Sequence, residues 1–281
     1  METVAIVGVG LIGASFGLAL RAAGFTGRIL GVSSANAIAA GLKTGAISEA
    51  ASLDQAADSA DLIYLSQPVD RILETLEALG PIVRPGCLVT DAGSTKLAIV
   101  SKAAQVLPQR AFLGGHPMAG KEQRGAEVAD GSLFRGRPYI LTPVGDMTGP
   151  MVELREWLVR LGAETLSMSA AEHDYVIALT SHLPQLLSTA ISLTLARQGK
   201  PELLQAFGPG LLDMTRLSMS SAGLWQSILD TNRGEILRAL AQFSNSLGEL
   251  RELLETGGSV DQLFSAARGF AAALRNTDHP E

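Results

Sequence analysis

Apolar residues fall in short unbroken runs separated by helix-compatible stretches as far as Met168, and beyond it they follow helical periodicity alone. Val4 to Val9 predicts a strand, Gly10 to Gly24 a helix and Arg28 to Val32 a second strand. Asp61 to Leu65, Cys87 to Thr90, Ala111 to Gly114 and Tyr139 to Leu141 continue the series. Runs without polar alternation suit strands covered on both faces, and their alternation with helices implies βαβ units and a parallel sheet. Thr142-Pro143-Val144-Gly145-Asp146 predicts a loop, Met151 to Leu161 an amphipathic helix, and Glu164 to Met168 a last strand.

The character changes at Ser169. Ser169-Ala170-Ala171-Glu172 has the spacing of a capping box, with serine accepting a backbone N–H and glutamate reaching back. Asn232 and Glu235 repeat that spacing before a long helix through Leu254, which Gly257-Gly258 stops. The expected organisation is an α/β domain over 1–169 and an all-helical domain over 170–281, with residues 276–281 frayed. Val176 to Leu195 and Ile236 to Leu254 carry more apolar residues than a small bundle can cover by itself. That surplus predicts a homodimer formed through the helical domain.

Composition narrows the function. The net charge of −6, with no Lys/Arg block, removes the electrostatic footprint that nucleic-acid binding requires. It leaves room for a small anionic substrate. The single cysteine, Cys87, lies in an apolar run without Cys or His at metal-ligand spacing, so it is expected in the core and no metal is expected. Met1-Glu2-Thr3 lacks a basic n-region and the run Leu11 to Leu20 is broken at Arg21, which predicts neither signal peptide nor membrane span. The cytoplasm is the expected compartment.

Gly8-Val9-Gly10-Leu11-Ile12-Gly13 is a G-x-G-x-x-G between a strand and a helix, the context of a dinucleotide-binding Rossmann domain with a mostly parallel doubly wound sheet. Gly8 permits the tight turn, Gly10 lets backbone approach a pyrophosphate, and Gly13 allows close helix–strand packing. The helix N-terminus then offers free N–H groups to phosphate. The second strand ends in Gly31-Val32-Ser33-Ser34, without the carboxylate that usually binds a ribose 2′-hydroxyl. Ser33 and Ser34 can donate to a 2′-phosphate, which leans the expectation toward NADP. No arginine follows to pair with one, so NAD stays open.

His116 sits in Leu113-Gly114-Gly115-His116-Pro117-Met118-Ala119-Gly120, expected as a glycine-rich loop at the carboxyl edge of the sheet with room for substrate. A histidine there can accept a hydroxyl proton as hydride leaves the same carbon. The segment resembles the GGHPMAG signature of the prephenate/arogenate dehydrogenase family of tyrosine biosynthesis. Asp91-Ala92-Gly93-Ser94-Thr95-Lys96 is similar to its D-x-G-S-x-K segment, Ser181-His182-Leu183-Pro184 to its SHLP motif, and Thr215-Arg216 with Leu224-Trp225 to its T-R…L-W stretch. The four stand in family order across most of the chain.

The resemblance implies oxidative decarboxylation, with hydride leaving C4 of a cyclohexadienol and the C1 carboxylate departing as CO2. It implies that His116 accepts a hydrogen bond from the C4 hydroxyl, that Ser94 holds that hydroxyl or His116, that Arg216 binds a substrate carboxylate, and that His182 lines the pocket. The departing carboxylate loses its charge, so an ion pair there would stabilise the ground state more than the transition state. Arg216 is better used bidentately on the side-chain carboxylate. Ser94 is equally suited to cap the helix that follows, Lys96 is expected in solvent or beside phosphate, and Trp225 in a core or interface. Arg216, in an apolar stretch, would if buried need Asp213 or an anionic substrate beside it. His173 and His279 receive no role. Leu212 stands where family members often carry a basic residue, and Gln185 where many have a second histidine. Prephenate is therefore preferred only weakly over arogenate. The rival readings are another Rossmann-plus-helical dehydrogenase, against which the four ordered motifs argue, and a cofactor-binding sensor, against which the pair His116 and Arg216 argues.

Overall fold

The computed structural model describes residues 1–107, 112–121 and 123–276, in two compact units. The first comprises Met1–Ile177 and Met219–Asn232, the second Ala178–Ser218 and Arg233–Glu281. His279 and the tail from 277 lie outside the described residues, as does Ala111.

The first unit runs β1 (Thr3–Val7), α1 (Leu11–Ala22), β2 (Arg28–Val32), α2 (Ala35–Thr44), β3 (Glu49–Ala50), α3 (Leu53–Ser59), β4 (Leu62–Leu65), α4 (Val69–Leu79), β5 (Leu88–Asp91), α5 (Leu97–Val106), β6 (Phe112–Pro117), β7 (Pro138–Thr142), α6 (Gly149–Arg160), β8 (Glu164–Ser167) and α7 (Ala170–Ile177). The sheet order is β3-β2-β1-β4-β5-β6-β7-β8. Every neighbouring pair is parallel except β6 with β7. The continuous apolar runs are explained by two cores. Val4, Ile6, Leu62 and Tyr64 pack with α1 and α6 on one face, while the intervening Ala5, Val7, Ile63 and Leu65 pack with α3, α4 and α5 on the other. Cys87 is buried, and burial pushes its thiol up to about 11.

Beyond α7 a π-helical turn, Ala178–His182, leads into α8 (Leu183–Ala196), with Pro184 in its first turn. The second unit continues with α9 (Pro209–Thr215) and a 3₁₀ turn, Arg216–Met219, whose last residue begins the return to the first unit. The first unit then receives α10 (Ala222–Thr231). The second resumes with α11 (Arg233–Thr256), which ends at Gly257 with φ +67°, and α12 (Asp261–Asn276). Large apolar side chains there face outward: Leu204 is 81% exposed, Leu254 76%, Phe270 67% and Phe264 64%.

The sequence expectation put the domain boundary at 169/170, whereas the compact units divide at 177/178 and residues 219–232 belong to the first. Asn232 accounts for part of that return. Its side-chain amide donates to the Asp174 carbonyl at 2.8 Å, a use of the amide the sequence spacing did not anticipate. The Thr231 and Thr95 hydroxyls also hydrogen-bond at 2.8 Å. Ser169 does accept the Glu172 N–H, at 3.1 Å.

Candidate active site

The carboxyl edge of the sheet collects most of the residues singled out above. Gly8 follows β1 with φ +97°, a backbone that only glycine adopts without strain. A Cβ on Gly13 would lie 2.3 Å from the Gly8 carbonyl oxygen, so the helix can approach the strand only without one. Gly10, the residue before α1, has open space where its Cβ would be. Ser66, after β4, donates to the Gly8 carbonyl at 2.8 Å and braces the turn, a contact that periodicity does not reveal. Leu11, Ile12 and Gly13 form the first turn of α1, which has no acidic residue to repel an anion. The open space at Gly10 and the uncapped first turn fit a nucleotide pyrophosphate. Ser33 and Ser34 are exposed at the end of β2, Ser34 preceding α2 without capping it.

Two anchors organise the β5–β6 side of this edge. Asp91, at the end of β5 and fully buried, accepts Gly93 N–H at 2.8 Å and Gly115 N–H at 3.1 Å, and pairs with the Lys96 ammonium. Lys96, expected in solvent or beside phosphate, is buried. Burial lowers its pKa while Asp91 opposes the shift. The pair stands because each charge is compensated; removing one partner of such a pair typically costs about 3–5 kcal/mol. Asp174, from α7, is the second anchor. Its carboxylate accepts Lys96 N–H at 2.7 Å and Leu97 N–H at 2.9 Å, so it caps α5 from another element. That is the task the sequence had offered to Ser94. Half-buried Ser94 instead lies in the turn that Asp91 and Asp174 pin at either end.

His116 does not stand in a free loop. It belongs to β6 and lies opposite Ile140 of β7. The neighbouring glycines make that strand possible: a Cβ on Gly114 would come within 2.2 Å of Thr142 Oγ1, and one on Gly115 within 2.6 Å of the Asp91 carbonyl oxygen. Their role is close packing, not space for a ligand. His116 Nδ1 lies 2.8 Å from Nε2 of His173, and His173 Nδ1 lies 2.8 Å from Asp174 Oδ1. All three are buried. Burial lowers the His173 pKa and is the largest influence on it; the Asp174 hydrogen bond opposes it. Sequence reasoning left His173 and Asp174 without a role, although His-Asp just after a helix start in apolar surroundings was the available signal.

His182 and Arg216 belong to the second unit. His182 is buried at the end of the π-helical turn, and Arg216 opens the 3₁₀ turn. Arg216 is exposed rather than buried, so the apolar stretch imposes no burial penalty on it. A polar stripe on α8 holds its turn: Gln185 donates to the Leu217 carbonyl at 2.8 Å, and Ser188 accepts the Ser218 N–H at 3.0 Å. Trp225 is half-buried.

Comparison with known proteins gives this geometry a context. Residues 16–166 match the family described as prephenate dehydrogenase, nucleotide-binding domain, and residues 169–268 match prephenate dehydrogenase, dimerization domain. The chain is 35% identical to prephenate dehydrogenase of Bacillus subtilis (strain 168), over 97% of this chain and 76% of that one. Its fold is similar to that of Aquifex aeolicus prephenate dehydrogenase solved with hydroxyphenyl propionate and NAD+, with TM-score 0.91, 32% identity and 98% of each chain covered. It is also similar to Synechocystis arogenate dehydrogenase, with TM-score 0.84, 29% identity and coverage of 97% of this chain and 99% of that one.

Proposed function

Since this chain belongs to the prephenate dehydrogenase family, we propose that it oxidises and decarboxylates prephenate to 4-hydroxyphenylpyruvate with a nicotinamide cofactor. The observation that carries the reading is His116, buried at the carboxyl edge of a nucleotide-binding sheet and backed by His173 and Asp174. Gly8, Gly10, Leu11, Ile12 and Gly13 would hold the pyrophosphate. The nicotinamide, when bound, supplies the hydride acceptor. His116 accepts the hydrogen bond of the C4 hydroxyl and takes up its proton as hydride leaves C4. It returns that proton to the same oxygen when the bond from C1 to the carboxylate breaks and its electron pair aromatises the ring. Ser94 orients the hydroxyl or the imidazole. Arg216 binds the side-chain carboxylate through its planar fork, and His182 lines the pocket.

Ser33 and Ser34 lack the carboxylate that would repel a 2′-phosphate, which supports NADP slightly over NAD. The outward apolar side chains of α11 and α12 support a homodimer through residues 170–281, in keeping with the dimerization-domain match. By length and composition alone the run 170–196 would also pass for a membrane-crossing helix; in this reading a second copy covers it. Static light scattering at micromolar concentration is expected to give twice the mass of 29.3 kDa, and a monomer would refute the dimer. A second reading, arogenate as substrate, is favoured by the Synechocystis likeness, while Leu212 and Gln185 weaken the sequence argument for either side chain. Nicotinamide reduction with prephenate and arogenate, each against NAD+ and NADP+, tests all of this. Turnover confined to arogenate would replace the first reading by the second, and no turnover in any combination would overturn both.

A further inference from the structure

Resting on the reading of His116 as the group that accepts the substrate proton, we infer that His173 and Asp174 are positioning residues that fix His116 as its Nδ1–H tautomer, turning an unprotonated Nε2 toward chemistry. Both Asp174 oxygens already accept backbone N–H groups, from Lys96 and Leu97. A carboxylate with that role only accepts, so His173 Nδ1 must be its donor at 2.8 Å. A neutral imidazole has one donor and one acceptor, which makes His173 Nε2 an acceptor. Full burial keeps His173 neutral against its Asp174 partner. Across the 2.8 Å contact, His116 Nδ1 must therefore carry the proton. Nε2 is left to accept.

The same chain serves the charged state. When Nε2 takes the hydroxyl proton, the imidazolium of His116 still donates through Nδ1 to His173, whose other face is held by a carboxylate. The proton is parked, not lost, and returns to the phenolic oxygen after decarboxylation. The charged groups that face His173 are Asp174 from α7, Lys96 from the turn before α5 and Asp91 from β5. Lys96 and Asp91 neutralise one another, so Asp174 sets the sign of the field. The arrangement follows the orienting logic of an Asp–His pair, in which the acid fixes the tautomer and does not itself take the proton.

The chain has four histidines, so nitrogen NMR of histidine-labelled protein without cofactor resolves the tautomer directly. His116, identified by the signal missing from His116→Asn, is expected protonated at Nδ1 near neutral pH. A proton on Nε2 would overturn the inference. In His173→Leu the Nδ1 preference should vanish and kcat should fall roughly 10²-fold with KM unchanged. His173→Gln, whose amide oxygen can accept the Nδ1–H, should restore most of the rate. Equal rates for wild type and His173→Leu would also overturn it. The NMR experiment needs no turnover, so an inactive protein with the Nδ1–H tautomer would count against the proposed function and not against the positioning role of His173 and Asp174.

Discussion

Replacing Asp174 by asparagine keeps the side chain's shape and removes one acceptor and the charge. In the native protein Oδ1 accepts Lys96 N–H and His173 Nδ1–H, and Oδ2 accepts Leu97 N–H. Asparagine has a single oxygen and must choose. Turned one way, its NH2 confronts only Leu97 N–H; turned the other, it confronts both remaining donors. The first orientation wins because it strands one donor instead of two. The Leu97 amide is part-buried, so stranding it sits at the low end of the penalty for an unmet donor, about 1 kcal/mol. Losing a negative charge at the N-terminus of α5 costs a further ~1 kcal/mol. The total is about 2 kcal/mol, equivalent to a fall in Tm of roughly 4–8 °C for a domain of this size. The winning orientation keeps oxygen toward His173, so the tautomer chain survives; only the charge that supports the His116 imidazolium is lost, and kcat should fall far less than in His173→Leu. Urea denaturation and steady-state kinetics on the same preparation decide the matter. An unchanged midpoint, or a kcat as low as that of His173→Leu at native stability, would show that Asp174 acts otherwise.

The buried neutral His173 makes stability depend on pH in a defined direction. Its folded pKa lies below the ordinary 6.5, so between the two values the unfolded chain binds more protons than the native one. Stability is then lost as pH falls from 6.5 toward the folded pKa, at a rate approaching 1.4 kcal/mol per unit for one proton. His173→Phe should flatten that part of a stability–pH profile, and a slope equal to wild type would contradict the assignment. Arg216→Ala should raise KM for substrate about 10- to 100-fold, the worth of a charge-assisted pair, while leaving kcat nearly intact. A fall in kcat at constant KM would refute that assignment, and a rise in kcat along with KM would place the guanidinium on the departing carboxylate instead.

Local signals made the sheet legible. β2 occupies Arg28–Val32, the range its apolar run predicted, because nothing at either end competes with the strand. β1 stops at Val7, two residues before the apolar run does, because Gly8 turns the chain. β6 runs on through His116 and Pro117 where Gly-Gly and proline had suggested a loop. Pairing with β7 stabilises that extension, and pairing partners are not written in local composition. The site was legible in the same uneven way. The glycine fingerprint, His116 and Ser94 announce themselves by motif. Lys96 looks like any solvated lysine until Asp91 is placed beside it. His173 meets His116 across a sequence separation of 57 residues, which no periodicity can report.

The proposed chemistry rests on His116 handling the substrate's proton at a nicotinamide site. The most direct test follows reduced nicotinamide under saturating substrate in wild type and His116→Asn, with cofactor affinity measured separately by fluorescence titration. Turnover is expected in the wild type, with a loss of about 10²–10⁴-fold in kcat for the variant at unchanged cofactor affinity. A variant that keeps the wild-type rate would contradict it.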